Sequence, residues 1–181
     1  MCGREISRAE TLAPIRAWLN IDSGQMKRLA DWIFDALFAV AIPEYPMPQM
    51  LYFDGEGGSG KTVASSVISP LIPYSLDALH FLAREDRNGI NKALAAARQR
   101  PVIAHADFGP VARMISRNRR KTLYLEMVTT ILMRPAASFT YPGGDRNTAI
   151  AAARRLVWAR FGQEMSRLPA ETSKNSAEAT P

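Results

Sequence analysis

The chain has 181 residues, 47% hydrophobic and 22% charged, with a formal net charge of +6, a composition typical of one globular domain with a sizeable core. Its single cysteine, Cys2, excludes an internal disulfide framework and argues against a zinc cluster, so a reducing, intracellular compartment is expected. No apolar run reaches the roughly 18 residues of a membrane span, and the first residues lack the apolar segment of a signal peptide, so neither feature is expected.

Residues 1–48 predict an N-terminal helical segment and a proline-rich connection. Ser7 and Glu10 have the spacing of a capping box, which predicts a short helix to about residue 19, disturbed by Pro14. The next helix is the clearest of the chain, because apolar residues recur every three or four positions. This stripe consists of Met26, Leu29, Ala30, Ile33, Phe34, Leu37 and Phe38. The prolines that follow exclude a helix or a central strand: Pro43, Pro46 and Pro48.

Residues 49–168 are predicted to form a P-loop nucleotide-binding domain. The apolar residues 50–53 indicate a buried strand, which leads into the P-loop pattern Gly55-x-x-x-x-Gly60-Lys61-Thr62. Glycines let the backbone wrap a phosphate chain, and the wrapped N–H groups form an anion-binding nest with the N-terminus of the next helix. Lys61 is expected to reach the β- and γ-phosphates, and the Thr62 hydroxyl to bind Mg²⁺. The predicted nucleotide-binding residues of this loop are Gly55, Gly57, Gly58, Ser59, Gly60, Lys61 and Thr62.

Further along, predicted strands alternate with predicted helices. Ser75 is expected to cap a short helix to about residue 83, and residues 101–107 indicate a second buried strand. Residues 122–133 suit either a strand or a helix, although β-branched residues favour a strand in the latter part. A loop over 134–147, a helix over about 148–168 and a disordered tail over 169–181 follow. The alternation predicts an α/β fold, a P-loop NTPase-like three-layer domain with a mainly parallel sheet.

A P-loop also needs a carboxylate at the end of a neighbouring strand to complete the Mg²⁺ shell. Asp107 is the best-placed candidate for this catalytic and metal-binding role, although it could simply cap the next turn. His105, inside the same strand, is expected to be a packed and hydrogen-bonded core residue. The arginines at 117, 119 and 120 could stabilise transferred phosphate, contact a polyanion or face solvent.

The charge is unevenly distributed between the two halves of the chain. Residues 1–83 carry six basic and nine acidic residues, whereas residues 84–181 carry 17 basic and eight acidic ones. The second half could therefore bind single-stranded DNA through its phosphates, or could be an ordinary arginine-rich surface.

The stretch from residue 19 to about residue 68 resembles the start of superfamily 1B DNA helicases of the Pif1/RecD type. That family opens with Leu-Asn-x-x-Gln, and Leu19-Asn20 followed by Gln25 is similar, with two additional residues before the glutamine. Residues 49–62, QMLYFDGEGGSGKT, match the family's strand and phosphate loop more closely, in a form that resembles Pif1-like helicases of eukaryotic transposons. The resemblance implies that Gln25 reads the adenine edge and that ATP and Mg²⁺ are the cofactors.

The sequence thus predicts an ATP-binding P-loop protein, with ATP hydrolysis by a truncated or diverged helicase lobe. No Asp-Glu pair follows the loop, and the chain is too short for two RecA-like lobes, so a lone lobe is not expected to translocate on DNA. Two alternatives stay open. One is a small P-loop kinase with Asp77 or Asp107 at the acceptor, and the other is a nucleotide-binding fragment without catalytic activity.

Overall fold

A computed structural model describes residues 5–77, 95–105 and 128–168 of the chain. Within these ranges the strands form one parallel sheet, in the order β2-β3-β1-β4. β1 has an inner position, with β3 on one side and β4 on the other, and parallel strands end at the same edge of a sheet. Gly55, His105 and Met133, the residues that follow these three strands, therefore lie at one edge of the sheet. The strands are β1 Met50–Asp54, β2 Leu76–Asp77, β3 Val102–Ala104 and β4 Val128–Leu132.

The sheet is accompanied by α-helices and by 3-10 helices. The α-helices are α1 Ser23–Ala41, α2 Lys61–Ile68 and α3 Arg146–Met165, and the 3-10 helices are Ala9–Trp18, Ser69–Leu71 and Ala136–Ser138. All seven residues of the predicted α1 stripe are buried, and they share one apolar core with residues of β1, α2 and α3. These observations confirm the α/β class and the parallel sheet. Among the described residues, no helix combines the length and apolar character needed to cross a membrane.

Local hydrogen bonds explain where the first two helical segments begin. The predicted capping box is confirmed, because the Ser7 N–H donates to Glu10 Oε2 at 2.7 Å while the Glu10 N–H donates to Ser7 Oγ at 3.3 Å. The segment that follows winds as a 3-10 helix around Pro14. At the start of α1, Asp22 Oδ1 accepts from the Gln25 N–H at 2.8 Å, which satisfies one of the free donors of the first turn.

Charged hydrogen bonds join the N-terminal segment to α3. Arg8 Nη2 donates to Glu164 Oε2 at 2.6 Å, and Arg160 Nε donates to Glu164 Oε1 at 2.8 Å. Burial raises the pKa of Glu164, but the hydrogen bonds from the two guanidinium groups outweigh it, so the pKa lies below its ordinary value. Glu5 also accepts from Arg160 and from Arg167. The network attaches residues 5–8 to the last turns of α3.

The region after α2 differs from its prediction. The Ser75 hydroxyl donates back to the Ser69 carbonyl at 3.0 Å and so caps no helix. The chain instead becomes extended at β2, where the Leu76 N–H donates to the Pro101 carbonyl at 2.9 Å and β2 pairs with β3. The helix predicted from Ser75 is therefore wrong at its start, and its remainder, residues 78–83, lies outside the described residues. The strand preference for residues 128–132 is confirmed by β4.

Candidate nucleotide-binding site

Residues 55–60, here called the glycine loop, connect β1 to α2. Gly58 has a φ of 82° and Gly60 a φ of 91°, a region of backbone space that side chains with a Cβ rarely occupy. α2 begins at Lys61, directly after the second of these residues. The first backbone N–H groups of an α-helix have no partner within the helix, and the helix dipole makes this end favourable for anions. The strand–loop–helix context predicted for the P-loop pattern is thus present.

Lys61 folds back over the glycine loop. Its side chain is only 8% exposed, and Nζ donates to the Gly55 carbonyl at 2.6 Å and to the Glu56 carbonyl at 2.5 Å, with Ser59 Oγ at 3.4 Å. The carbonyl oxygens accept hydrogen bonds from the ammonium but carry no net negative charge, so they do not cancel its positive charge. A positive charge is therefore held beside the start of α2, where an anion would also meet free N–H groups.

A cavity of about 450 Å³ opens at the glycine loop, within the size range of small-molecule sites. Its walls come from the loop, from the first turn of α2, from the end of β3 and from the segment after β4. The lining residues are Gly55, Gly57, Gly58, Gly60, Lys61, Thr62, Val63, His105 and Phe139. A larger depression of about 970 Å³ lies along α3 beside Trp158 and is lined by none of the predicted site residues.

The segment after β4, residues 133–139, lies over the glycine loop and is here called the strap. The Met133 N–H donates to the Asp54 carbonyl at 2.7 Å, and the Ala136 N–H donates to a carboxylate oxygen of Glu56. The strap therefore contacts the last residue of β1 and Glu56 of the glycine loop.

Side chains of the strap also pack closely against Gly55 and Gly60 of the glycine loop. A Cβ added to Gly55 would lie 2.9 Å from the Cβ of Met133, and one added to Gly60 would lie 3.0 Å from the ring of Phe139. Both distances are too short for a real Cβ without movement of the neighbour. Gly55 therefore has no room for a side chain beside the strap, and Gly60 is favoured both by the Phe139 ring and by its positive φ.

Asn20 joins the loop to the strap from a third direction. Its buried Nδ2 donates to the Ser59 carbonyl at 3.1 Å, to the Arg134 carbonyl at 3.1 Å and to the Pro135 carbonyl at 3.2 Å. One amide thus satisfies carbonyls of both the glycine loop and the strap, which the hydrogen bond between Ala136 and Glu56 also joins. The sequence pointed to Asn20 only through its place in the Leu19-Asn20 pair.

The remaining predicted site residues fall into two groups. Gln25 does not line the cavity; its Oε1 accepts from the Leu132 N–H at 3.2 Å, at the end of β4, and its adenine-reading role stays a prediction. Asp107 lies outside the described residues, as do the arginines at 117, 119 and 120. The strand that precedes Asp107 nevertheless ends at the cavity, because His105 is buried and lines it.

Two observations concern the metal-binding and ionisable side chains near the glycine loop. Among residues 5–77, 95–105 and 128–168, no cluster of three or more His, Cys, Asp or Glu side chains could hold a metal ion. Burial, assisted by the charge of Asp54, raises the pKa of the Tyr52 phenol in β1 to about 12. Of the predicted metal ligands, Thr62 lines the cavity, and Asp107 lies outside the described residues.

Sequence reasoning missed the contribution of the strap. Phe139 lies in a stretch rich in proline and glycine that has no apolar periodicity, so only its aromatic character could have drawn attention to it. Comparisons with protein-family models, with curated proteins and with solved structures found no match.

Proposed function

We propose that the chain binds ATP with Mg²⁺ at the glycine loop and has the P-loop NTPase fold. The observation that carries the proposal is the position of the Lys61 ammonium, held by the Gly55 and Glu56 carbonyls at the start of α2. A phosphate chain in the cavity would exchange these neutral partners for anionic oxygens, so that attraction between opposite charges would add to the hydrogen bonds. The strand–loop–helix order is that of P-loop proteins.

The residues of the cavity also suit Mg²⁺ bound together with the nucleotide. Thr62 lies in the first turn of α2 and lines the cavity, so its hydroxyl would approach a metal bridging two phosphate groups. Mg²⁺ usually keeps several waters and takes one or two protein carboxylates in such sites. Asp107 follows β3, the direct neighbour of β1, and is the carboxylate that we propose for this role.

Hydrolysis of ATP, in the manner of a diverged helicase lobe, is the activity that we propose for the bound nucleotide. An attacking water would have to be aligned with the γ-phosphate, and the Lys61 ammonium and Mg²⁺ would stabilise the charge that develops there. The resemblance of residues 19–68 to Pif1/RecD-type helicases is the reason to expect stimulation by single-stranded DNA.

A small P-loop kinase is the second candidate, and the sheet order is the observation that favours it. β2 ends at Asp77 and is separated from β1 by β3 alone. Asp77 is level with Ile103 of β3, which is level with Leu51 of β1, and neighbouring strands lie about 4.8 Å apart, so Asp77 lies about 10 Å from Leu51. An acceptor held by Asp77 would lie on the β3 side of the glycine loop.

Calorimetric titration of ATP with Mg²⁺ into Lys61→Ala tests the central claim. Loss of a charged partner to two phosphates should weaken binding at least about 100-fold, since each such hydrogen bond is worth roughly 1.5–3 kcal/mol. Lys27→Ala is the matched control, because Lys27 is an exposed lysine on α1, and it should bind like the wild type. Equal affinity of Lys61→Ala and wild type would disprove the proposed site, provided that circular dichroism shows both variants folded.

One assay separates the activities. ATP turnover is measured without and with single-stranded DNA, and phosphate transfer to small acceptors is measured without DNA. Stimulation by DNA supports the helicase-like ATPase, transfer to an acceptor supports the kinase, and tight binding without either activity leaves a nucleotide-binding fragment. Asp107→Asn should weaken the Mg²⁺-dependent part of binding; unchanged Mg²⁺ dependence would remove Asp107 from the site.

A further inference from the structure

Phe139 is an aromatic side chain at a site otherwise built for phosphate. Its ring lines the cavity beside Gly60 and Lys61, and the side chain is half-buried. The ring belongs neither to the buried core cluster nor to the partly buried residues packed against it, whereas Val63 and Met133 do. Core packing therefore does not account for its position. Phosphate groups do not account for it either, since an apolar ring offers them no hydrogen bond.

The ring is held in a fixed place. The Phe139 N–H donates to the Ala136 carbonyl at 2.9 Å, which ends the 3-10 turn of the strap. The ring also meets Tyr141, with centroids 6.4 Å apart, and Tyr141 meets the buried Trp18 edge to face, with centroids 5.4 Å apart. An aromatic row thus runs from the core to the cavity, and Phe139 is its member at the cavity.

We propose that Phe139 is the platform on which the base of the bound nucleotide stacks. The inference rests on the proposed nucleotide site. The glycine loop would bind the phosphates, and the ring would stack on the planar, apolar face of the base. Every nucleobase has such a face, so stacking contributes to affinity with little regard to base identity. The ligand class is therefore a nucleoside di- or triphosphate with a broad choice of base, preferably the larger purines.

The test compares two ligands that share a phosphate chain, ATP and inorganic tripolyphosphate, each with Mg²⁺, by calorimetry. Phe139→Leu keeps an apolar side chain against Gly60 but removes the aromatic face, so ATP should bind about 5- to 150-fold more weakly while tripolyphosphate affinity stays within about twofold. Phe139→Trp should restore ATP binding. Tyr74→Leu is the matched control, because Tyr74 is an exposed aromatic residue that does not line the cavity, and both affinities should stay within about twofold of the wild type.

The other outcomes overturn the inference in distinguishable ways. Equal weakening of both ligands by Phe139→Leu would show that the ring only supports the loop, and would leave the phosphate site intact. Unchanged binding of both ligands would show that the base lies elsewhere. If the wild-type protein binds neither ATP nor tripolyphosphate, the proposed nucleotide function fails, and the platform fails with it. If it binds tripolyphosphate as tightly as ATP, the phosphate site stands and the platform alone is refuted.

Discussion

Replacement of Asn20 should weaken the attachment of the strap to the glycine loop, leaving the hydrogen bonds of Met133 and Ala136 in place. The Asn20 side chain has two N–H donors, and they serve three backbone carbonyls, of Ser59, Arg134 and Pro135. Asn20→Ala loses about two hydrogen bonds worth roughly 1 kcal/mol each, and carbonyls left without a partner cost roughly 1 kcal/mol more. The free energy of unfolding should therefore fall by about 2–4 kcal/mol, a large part of the 5–15 kcal/mol typical of a domain.

Asn20→Asp is a more specific variant, because it replaces the N–H donors of the side chain by a carboxylate oxygen and keeps the size and shape of the side chain. An ionised carboxylate has no donor and would face the same three carbonyl oxygens, so the pKa of the new carboxyl should be raised in the folded protein. A group whose pKa is higher in the folded than in the unfolded state favours folding at low pH and loses this contribution as the pH rises through the folded value. Asn20→Asp should thus gain stability relative to Asn20→Ala on acidification.

Urea unfolding followed by circular dichroism provides the measurement, with the wild type as reference at each pH between about 4 and 7. ATP affinity is measured in parallel, and it should fall because the strap is held less firmly against the glycine loop. A free energy of unfolding within about 0.5 kcal/mol of wild type for Asn20→Ala would refute the reasoning. So would a difference between the two variants that does not change with pH.

Three further predictions concern the glycine loop, the ion-pair network and the basic half of the chain. Gly60→Ala should lower the free energy of unfolding by about 1–3 kcal/mol, because of its positive φ and the Phe139 ring, whereas Gly57→Ala, with nothing near its added Cβ, should be close to neutral in thermal unfolding. Glu164→Gln should cost about 1–2 kcal/mol at pH 7. The lowered pKa of Glu164 means that its contribution is complete above the unfolded value of 4.5 and is lost as the pH falls through the folded value, so the variant should lose less stability in acid. Replacing the exposed arginines at 154 and 155 by alanine should make the slope of log affinity for single-stranded DNA against log salt shallower by about 1.4.

Each of these predictions has a control or a contrary outcome. Equal melting temperatures for the two glycine variants would show that the loop tolerates a Cβ at either position. Glu44→Gln removes an exposed carboxylate and should change the free energy of unfolding by less than about 0.5 kcal/mol. Replacement of the exposed Arg16 and Arg28 should leave the salt slope unchanged; an equal change for this pair would mean that DNA contacts the whole surface.

Features with a local cause were predictable from the sequence. The capping box depends on residues three apart, the α1 stripe depends on helical periodicity, and the strand that leads into the glycine loop is an apolar run ended by glycine. Each of these predictions is confirmed, because the interactions that decide them lie within a few positions along the chain.

Features decided by distant partners were not predictable. Asn20 binds carbonyls 39, 114 and 115 residues away, and no local pattern announces such a pairing. Ser75 looked like a helix cap because serine is common there, but its hydroxyl bonds to Ser69 and the next residues pair with β3. The 3-10 form of residues 9–18 was not predicted as such, although Pro14 indicated a disturbed helix.

The strap and the glycine loop lie far apart along the sequence, and this distance has a consequence for biosynthesis. The hydrogen bond between Glu56 and Ala136 spans 80 residues, and β1 pairs with β4 in a register that matches Met50 with Val128. At about 5–20 residues per second, the ribosome makes the loop about 4–16 s before the strap. During this interval one edge of β1, an apolar strand, has no partner strand and is open to pairing with other chains. Chaperones that cover such edges should therefore matter most for the nascent chain between these two events.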